Sequence, residues 1–338
     1  MNFFTETSSK IPLNKIVHHK DICNQLLNMN NIENSIFYGP SGSGKKTLIL
    51  SYLAHRYGKQ VYNTSYITKD VDGIIELIVL QSPIHCEVDI KKYSNHDKTI
   101  VMDMLKEEGS TRNIKDKLEK IVIIRNADYL SYTAQCALRR IVEVHSSNLK
   151  LILILQKINK IIDPLLSRFI LFRVPAPSYS EIHNILCDIS YNEGIYGMDL
   201  NKIALNSDRN IKNSIVKLQI WYESKGEINY TNYDDKLVND ICDDLFLIIK
   251  KKDISYITNI KNSIYKAIIS DVHTTTIIKK SLFIILNYCK KNKINDSIKL
   301  KLVSNASNYQ IRMINHCKDI MHLEAFYYSV INILININ

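Results

Sequence analysis

At residues 39–47 the chain reads Gly39-Pro40-Ser41-Gly42-Ser43-Gly44-Lys45-Lys46-Thr47, a glycine-rich stretch that ends in lysine. A short apolar run at 35–38 precedes it, and apolar residues at helical spacing follow it over 48–56. A loop between a strand and a helix can wrap its N–H groups around phosphates, while the helix N-terminus and the lysine add positive charge. An ordinary glycine-rich turn is the alternative, but it does not account for both flanking elements. The stretch therefore predicts a phosphate-binding loop.

The residue directly after the loop lysine departs from the usual motif. A serine or threonine hydroxyl normally stands there to hold Mg²⁺. This chain has Lys46 instead, and its hydroxyl comes one residue later, at Thr47. The loop is expected to hold phosphates, whereas a bound Mg²⁺ is doubtful.

Composition narrows the class of protein. The chain has 338 residues with 44 Lys and Arg against 34 Asp and Glu, a net charge of +10. A balance of this size favours a polyanionic partner, although a solvated lysine-rich surface explains it equally well. The seven cysteines are scattered without C-x-x-C spacing, which argues against a zinc site and a disulfide framework. With no signal peptide at the start and only short apolar runs, we expect a soluble intracellular protein without membrane partners.

Hydrophobic patterning predicts an α/β fold for the first half of the chain. Continuous apolar runs at 120–124, 150–155 and 169–174 are typical of strands covered on both faces of a parallel sheet. Alternation over 84–89 predicts another strand, and 60–64 is a plausible further one. Alternating strands and helices would place the glycine loop at the carboxyl edge of the sheet, where such folds bind ligands.

Beyond Pro175 the pattern is helical only. Periodicity over 179–191, 200–205 and 211–222 predicts a small three-helix unit, and a polar linker separates it from a longer helical block. The predicted fold class is α/β plus all-α, with boundaries at 1–175, 176–228 and 229–338.

Several strings resemble a known family, the small subunits of replication factor C. They are Arg125-Asn126-Ala127-Asp128, the segment 134–140 (AQCALRR), the segment 159–168 (NKIIDPLLSR), the double lysine Lys45-Lys46, the segment 174–178 (VPAPS) and the segment 322–326 (HLEAF). These small subunits are AAA+ proteins of the sliding-clamp loader. The last three strings look like one subunit type, called three in humans and five in budding yeast.

The resemblance implies an architecture and a set of partners. Family members have an AAA+ P-loop domain, a three-helix lid and a helical collar that joins the subunits into a hetero-pentamer. The complex binds ATP, opens a clamp of the proliferating-cell nuclear antigen type and closes it around primer–template DNA. The cofactor would be ATP or ADP, and the location would be the site of DNA replication, in the nucleus or at a viral replication site.

Four positions depart from the pattern of active relatives. Where those read Asp-Glu-Ala-Asp, this chain has Arg125 and Asn126 in place of the metal-binding carboxylate and the catalytic base. The sensor asparagine aligns with Gln156, and the lid arginine that contacts nucleotide aligns with Lys212. Losing a single transition-state contact of this kind can cost about a hundredfold in rate. We therefore expect nucleotide binding without hydrolysis at this site.

Arg168, unlike these four positions, matches the family pattern. It matches the arginine of the family's Ser-Arg-Cys motif, which reaches the neighbouring subunit's ATP, and a planar guanidinium can meet phosphate oxygens with two donors. The resemblance therefore implies an arginine finger acting in trans, the alternative being an ordinary surface arginine before a strand.

Candidate contacts to DNA are cations and a helix N-terminus, which hold phosphates without reading bases. They are Lys106, Arg112, Ser131 and Thr133. For Arg139 and Arg140, on the following helix, a structural role in salt bridges is at least as plausible.

Two other functions stay open at this stage. One is a catalytically active AAA+ ATPase subunit of the same complex, which Lys46, Arg125 and Asn126 disfavour. The other is a standalone P-loop DNA-binding NTPase, which the long helical block disfavours.

Overall fold

The structure is a computed structural model that forms two compact units, Met1–Glu223 and Ser224–Asn338. It describes residues 3–71, 75–93, 96–110, 120–145, 148–224, 233–251, 256–270, 272, 274–315 and 319–335. Over these ranges, no helix is both long enough and apolar enough to cross a membrane. The three-domain division at 175 and 228 stays a prediction, since the three helices of the expected lid fall within the first unit.

The first unit is built on a seven-stranded sheet. Its strands are β1 (Ser35–Tyr38), β2 (Ser65–Val71), β3 (Ile75–Gln81), β4 (His85–Asp89), β5 (Lys120–Arg125), β6 (Leu149–Leu155) and β7 (Ile170–Arg173). Their order in the sheet is β2-β3-β4-β5-β6-β1-β7. Neighbouring strands within the set β4, β5, β6, β1 and β7 are parallel. At one edge of the sheet, β2 pairs antiparallel with β3, and β3 pairs antiparallel with β4. The α/β prediction is confirmed.

The apolar runs form central strands because both faces of the sheet are covered. Along β5, Val122 and Ile124 enter one hydrophobic core while Ile121 and Ile123 enter the other. This alternation follows from the two-residue period of a strand. On β1 the ring of Phe37 stacks on Phe172 of β7, with centroids 4.8 Å apart. The strand that leads into the glycine loop is thus held by packing on both sides.

Helices cover the sheet and extend beyond it. In the first unit they are α1 (Phe4–Thr7), α2 (Lys20–Asn28), α3 (Lys45–Tyr57), α4 (Asp97–Ser110), α5 (Tyr132–His145), α6 (Asp163–Leu166), α7 (Tyr179–Glu193), α8 (Leu200–Leu205) and α9 (Ile211–Glu223). The last three confirm the predicted three-helix unit. A capping box starts α7, in which the Ser178 hydroxyl accepts from the Glu181 amide and the Glu181 carboxylate accepts from the Ser178 amide.

One predicted strand was wrong, and two strands were missed. The segment Lys59–Tyr62 is a 3₁₀ turn, not the strand expected over 60–64. The strands β2 and β3 follow it, where the sequence analysis predicted no strand. The reason is the position of β2 at the sheet edge, where most of its side chains are exposed and apolar alternation is not required.

The high charge of residues 106–117 predicts a solvated loop, but α4 continues through the start of this stretch to Ser110. Its charges are paired rather than merely solvated: the Glu108 carboxylate accepts from Lys69 at 2.8 Å and from Lys120 at 3.0 Å. Residues 111–119 lie outside the described residues, and they include the DNA-binding candidate Arg112.

The second unit is helical, as predicted. Its helices are α10 (Tyr233–Lys251), α11 (Ile257–Ile269), α12 (Thr274–Lys291), α13 (Asp296–Asn315) and α14 (Asp319–Ile335). They share one hydrophobic core. Inside it the fully buried Tyr327 hydroxyl shares a 2.5 Å hydrogen bond with Ser281, and burial raises its pKa. The pair ties α12 to α14.

Six cysteines lie among the described residues, and all are free thiols. Cys23 and Cys86 are buried in the first unit, and Cys242 and Cys289 in the second. Burial raises the pKa of Cys86 and of Cys242 to about 12. Such thiols are chemically quiet packing groups.

Gln135 of α5 is a buried polar residue that joins three segments. Its amide nitrogen donates to the carbonyls of Leu130 and Lys160, both at 3.0 Å, and its amide oxygen accepts from the Ile162 N–H at 2.9 Å. One side chain therefore satisfies three main-chain groups of the loops that flank α5 and α6.

We expect Gln135→Leu to destabilise the first unit, because each buried main-chain group left unpaired costs about 1–3 kcal/mol. The predicted loss in free energy of unfolding is about 3 kcal/mol, measured by denaturant titration with the fluorescence of the single tryptophan, Trp221. The control is Gln25→Leu at an exposed position of α2, which should leave the midpoint unchanged. Equal midpoints for both variants would contradict the bridging role.

Candidate nucleotide site

The glycine loop closes tightly because its glycines lack side chains. Gly39, Gly42 and Gly44 have φ values of 153°, 71° and 89°, in the region that L-residues avoid. A Cβ on Gly39 would lie 1.9 Å from the carbonyl oxygen of Val174, where β7 ends. The close approach of two main chains therefore requires glycine at position 39 and fixes the loop against the sheet.

Lys45, the first residue of α3, turns back into its own loop. Its ammonium donates to the carbonyls of Gly39 at 2.7 Å and Pro40 at 2.6 Å. Burial lowers the pKa of Lys45 to about 8, and the negative charge of Asp128 partly opposes that shift. Asp128 is itself buried, and its Oδ1 has no hydrogen-bond partner among the described residues. The loop thus holds a positive group that titrates close to neutral pH.

The second lysine of the motif contacts a buried carboxylate on β4. Lys46 Nζ lies 2.7 Å from Oε1 of Glu87, whose side chain is only 2% exposed. Arg125 Nε lies 2.9 Å from the same oxygen, as an ion pair that is not aligned as a hydrogen bond. Two cations therefore meet on one carboxylate oxygen.

Asp89, two residues further along β4, completes the network. It lies 3.3 Å from Arg125 Nη2 and accepts a 2.7 Å hydrogen bond from the Asn126 amide. Parallel pairing puts Asp89 directly opposite Arg125, which explains the contact. The network of Lys46, Arg125, Glu87 and Asp89 has two positive and two negative charges, so it is formally neutral.

These side chains do not fit a conventional Mg²⁺ site. The hydroxyl position is a lysine and the first acidic position is an arginine, and ammonium and guanidinium groups have no lone pair to give a metal. Asn126, at the position of the catalytic base, is an amide that cannot accept a proton at neutral pH. No cluster of three or more potential metal ligands occurs in the described part of the chain.

The three-helix unit contacts the loop directly. The N–H of Ile211, at the start of α9, donates to the Gly42 carbonyl at 3.0 Å, and the Asn210 side chain fills the space beside Gly42. Lys212, the expected lid cation, follows at an exposed position. Lys212 therefore directly follows a residue whose N–H contacts the loop, and its role stays a prediction.

Two histidines before α2 were missed by the sequence interpretation. His19 Nε2 lies 3.0 Å from the Ser43 carbonyl, and His18 is buried with Nε2 about 3.0 Å from where a Gly44 Cβ would stand. Burial, reinforced by the charge of His19, lowers the pKa of His18 to about 4. The adjacent His-His pair before the first long helix was the available signal.

A cavity of about 710 Å³ lies beside the start of the loop. Residues Gly39 to Ser41, Gln156, Arg173 and Arg209 are among those that line it. Gln156 follows β6 directly, so the predicted sensor position and the loop share one cavity. Arg209 donates to the carbonyls of Ala176 at 2.7 Å and Pro177 at 2.8 Å, which ties the α8–α9 turn to the chain leaving β7.

Arg168 lies away from this cavity, between α6 and β7. Its side chain is 30% exposed and contacts Glu143 of α5 at 2.5 Å. It also donates through Nη1 to the Pro164 carbonyl and to the Ser167 hydroxyl. The finger candidate is thus at the surface, in contact with its own chain.

The candidate DNA contacts are exposed where they are described. Lys106 on α4, and Ser131 and Thr133 at the start of α5, all face solvent. The Ser131 amide, however, already donates to the Asp97 carboxylate at 2.5 Å. A DNA phosphate at this helix N-terminus would compete with the Asp97 carboxylate for the Ser131 amide. The role of these residues in DNA binding therefore stays a prediction.

A phosphate-bearing nucleotide fits the loop, because the glycine-lined turn and the Lys45 ammonium are a cradle for anions at a helix N-terminus. Residues 39–47 would hold its phosphates. With its parallel sheet, glycine loop and three-helix unit, followed by a separate helical unit, the chain has the architecture of an AAA+ P-loop protein.

Comparisons with known proteins narrow this class. Residues 237–337 match the family model described as Replication factor C subunit 3, C-terminal domain. The chain is 29% identical to Replication factor C subunit 5 of Schizosaccharomyces pombe, over 91% of this chain and 90% of that protein. It is 26% identical to human Replication factor C subunit 3, over 96% and 94% of the two chains. A solved Thermotoga maritima RuvB variant is similar at a TM-score of 0.46 and 14% identity, over 72% of this chain and 80% of that one. The chain is thus similar to replication factor C small subunits along more than nine-tenths of its length.

The titration of Lys45 predicts a pH-dependent affinity for nucleotide. As the pH rises through about 8, Lys45 becomes neutral and the affinity for ATP or ADP should fall, approaching tenfold per pH unit. Folding is not weakened over this range, because the unfolded chain binds the lysine proton more tightly than the folded one. A fluorescent ADP analogue titrated between pH 6.5 and 9.5 measures the effect. Lys45→Met, the control, should bind weakly without this pH dependence, and a flat wild-type profile would refute the assignment.

Proposed function

We propose that this chain is a small subunit of a replication factor C-type clamp loader, which helps to load a sliding clamp onto primer–template DNA. Its own nucleotide site is degenerate, and it supplies Arg168 as an arginine finger to the neighbouring subunit. Its partners would be the other subunits of a hetero-pentamer, a clamp of the proliferating-cell nuclear antigen type and DNA.

Similarity along nearly the whole chain supports the first part of this proposal. The relatives named Replication factor C subunit 5 and subunit 3 align over more than nine-tenths of the chain. The match to the C-terminal family model covers the helical unit, which in this reading is the collar that joins the subunits. The net charge of +10 suits a partner as acidic as DNA.

The contacts of Arg125 carry the proposal of a degenerate site. Arg125 stands where active relatives have the metal-binding carboxylate of the Asp-Glu-Ala-Asp string, the Walker B motif. Its guanidinium contacts Glu87 and Asp89. A cation held in this way cannot be replaced by Mg²⁺ without breaking two ion pairs. Asn126 is likewise occupied by Asp89 and offers no base to an attacking water. Hydrolysis in cis is therefore lost in this proposal.

Nucleotide binding should then be independent of magnesium, because Lys46 and Arg125 replace the hydroxyl and the carboxylate that would hold the metal, and both are already paired with carboxylates. We expect the Kd for ADP to change by less than about threefold when EDTA replaces Mg²⁺. A Lys46→Thr, Arg125→Asp double variant, in which the hydroxyl and carboxylate return, should acquire magnesium dependence. Calorimetric titration measures both Kd values, and strong magnesium dependence in the wild type would argue against the loss of the metal site.

Arg168 is proposed to act in trans because its side chain is partly exposed at the surface and the sequence around it matches the family motif. A guanidinium that stabilises charge on a phosphoryl group in transfer contributes about 10³–10⁵ in rate where it has been measured. Lys212 and Gln156 are assigned weaker roles, as lid and sensor positions that contact nucleotide. Lys106, Arg112, Ser131 and Thr133 are proposed as contacts to the DNA backbone.

Arg168→Ala should slow ATP hydrolysis at the neighbouring site by about a hundredfold or more, while Asn126→Ala should leave turnover unchanged. The measurement is steady-state turnover of the reconstituted complex with clamp and DNA. The control is Arg312→Ala on the exposed surface of the second unit.

The opposite result for these variants would favour one of the two alternative functions. If Asn126→Ala abolishes turnover and Arg168→Ala does not, the chain is an active ATPase subunit of the same complex. If the chain forms no complex with other subunits and binds DNA alone, it is a standalone P-loop NTPase.

A further inference from the structure

One carboxylate oxygen on α5 lies between two guanidinium groups. Glu143 Oε1 is 2.5 Å from Arg168 Nη2 and 3.1 Å from Arg139 Nε. Arg139 precedes Glu143 by one helical turn, while Arg168 comes from the segment between α6 and β7. The contact therefore joins the proposed finger to a long helix packed on the sheet.

The remaining contacts of Arg168 are local. Nη1 donates to the Pro164 carbonyl and to the Ser167 hydroxyl. These contacts and the Glu143 ion pair use three of the five N–H donors of a guanidinium. The other two have no partner among the described residues, and the side chain is 30% exposed. A planar group fixed along one edge with donors free on another is suited to grip a phosphate.

The net charge of the cluster formed by Arg139, Glu143 and Arg168 explains why two arginines are needed. A lone carboxylate beside Arg168 would cancel its charge and repel an approaching phosphate. With Arg139 on the same oxygen, the three side chains sum to +1, so the cluster still attracts an anion. Both arginines also hold the pKa of the Glu143 carboxyl below its ordinary value, with Arg139 the larger cause, so Glu143 is ionised at neutral pH.

We propose that Glu143 is a positioning residue for the finger, fixing the Arg168 guanidinium at the surface so that its free donors meet the phosphates of the neighbouring subunit's nucleotide. This inference rests on the proposed function, since it requires Arg168 to act in trans. Arg139 balances the charge of Glu143. Without the carboxylate, a long arginine side chain samples many rotamers and reaches the productive one less often.

The test uses the reconstituted complex carrying Glu143→Gln, Arg168→Ala or both in this chain. Glu143→Gln should lower kcat about tenfold with KM for ATP nearly unchanged, because positioning acts on the transition state rather than on substrate binding. Binding of a fluorescent ATP analogue, subunit assembly and thermal unfolding should match the wild type. The double variant should be no slower than Arg168→Ala alone, as expected when both residues act through one group. Glu193→Gln on the exposed surface of α7 is the matched charge control.

The outcomes separate this inference from the proposal on which it rests. If Arg168→Ala slows turnover and Glu143→Gln does not, or if the two losses multiply, Glu143 has no positioning role while the finger stands. Faster turnover by Glu143→Gln would also overturn the inference, since Glu143 would then restrain the finger. If Arg168→Ala is without effect, the finger itself is wrong.

Discussion

The close approach of Gly39 to the Val174 carbonyl is the constraint on which the site depends. It joins the end of β1 to the end of β7, and a side chain at position 39 would overlap main-chain atoms. Strand packing fixes both partners, since Phe37 stacks on Phe172 one layer below. The main chain of the loop can then present its N–H groups without reorganising, because the core and not the ligand holds its shape. The proposed binding of nucleotide therefore depends on how the strands of the sheet pack.

The positive charges of Lys46 and Arg125, by contrast, are balanced by carboxylates on a strand of the sheet and not by the loop itself. Glu87 and Asp89 on β4 pair with Lys46 and Arg125, so groups that look unfavourable in the motif are satisfied in the fold. Glu87 is the buried ion of this network, and a buried carboxylate without cationic partners would be costly. The cations at the motif and the carboxylates on β4 therefore form one structural unit.

Much of the fold could be predicted from the sequence, because buried strands and amphipathic helices carry a strong hydrophobic period. The exposed edge strand β2 lacked that period and was missed. The proposed site was less predictable. The loop, Arg125 and Asn126 follow from motif positions, whereas the contacts of Glu87, Gln135 and Glu143 depend on which strands and helices become neighbours. A glutamate within a buried strand was an available signal that Glu87 needs a cationic partner, although its spacing does not identify that partner. The roles of these residues in nucleotide binding and in trans remain predictions.

The buried thiols have a practical consequence for studying the two units. Cys86 and Cys242 carry almost no thiolate at neutral pH, because burial raises the pKa of each to about 12. A thiol reagent can therefore modify them only when the surrounding unit opens. Since one lies in each unit, peptide-resolved rates of alkylation would report two opening reactions in the same sample. Equal rates would mean that the units open together, and unequal rates would show which of them opens first.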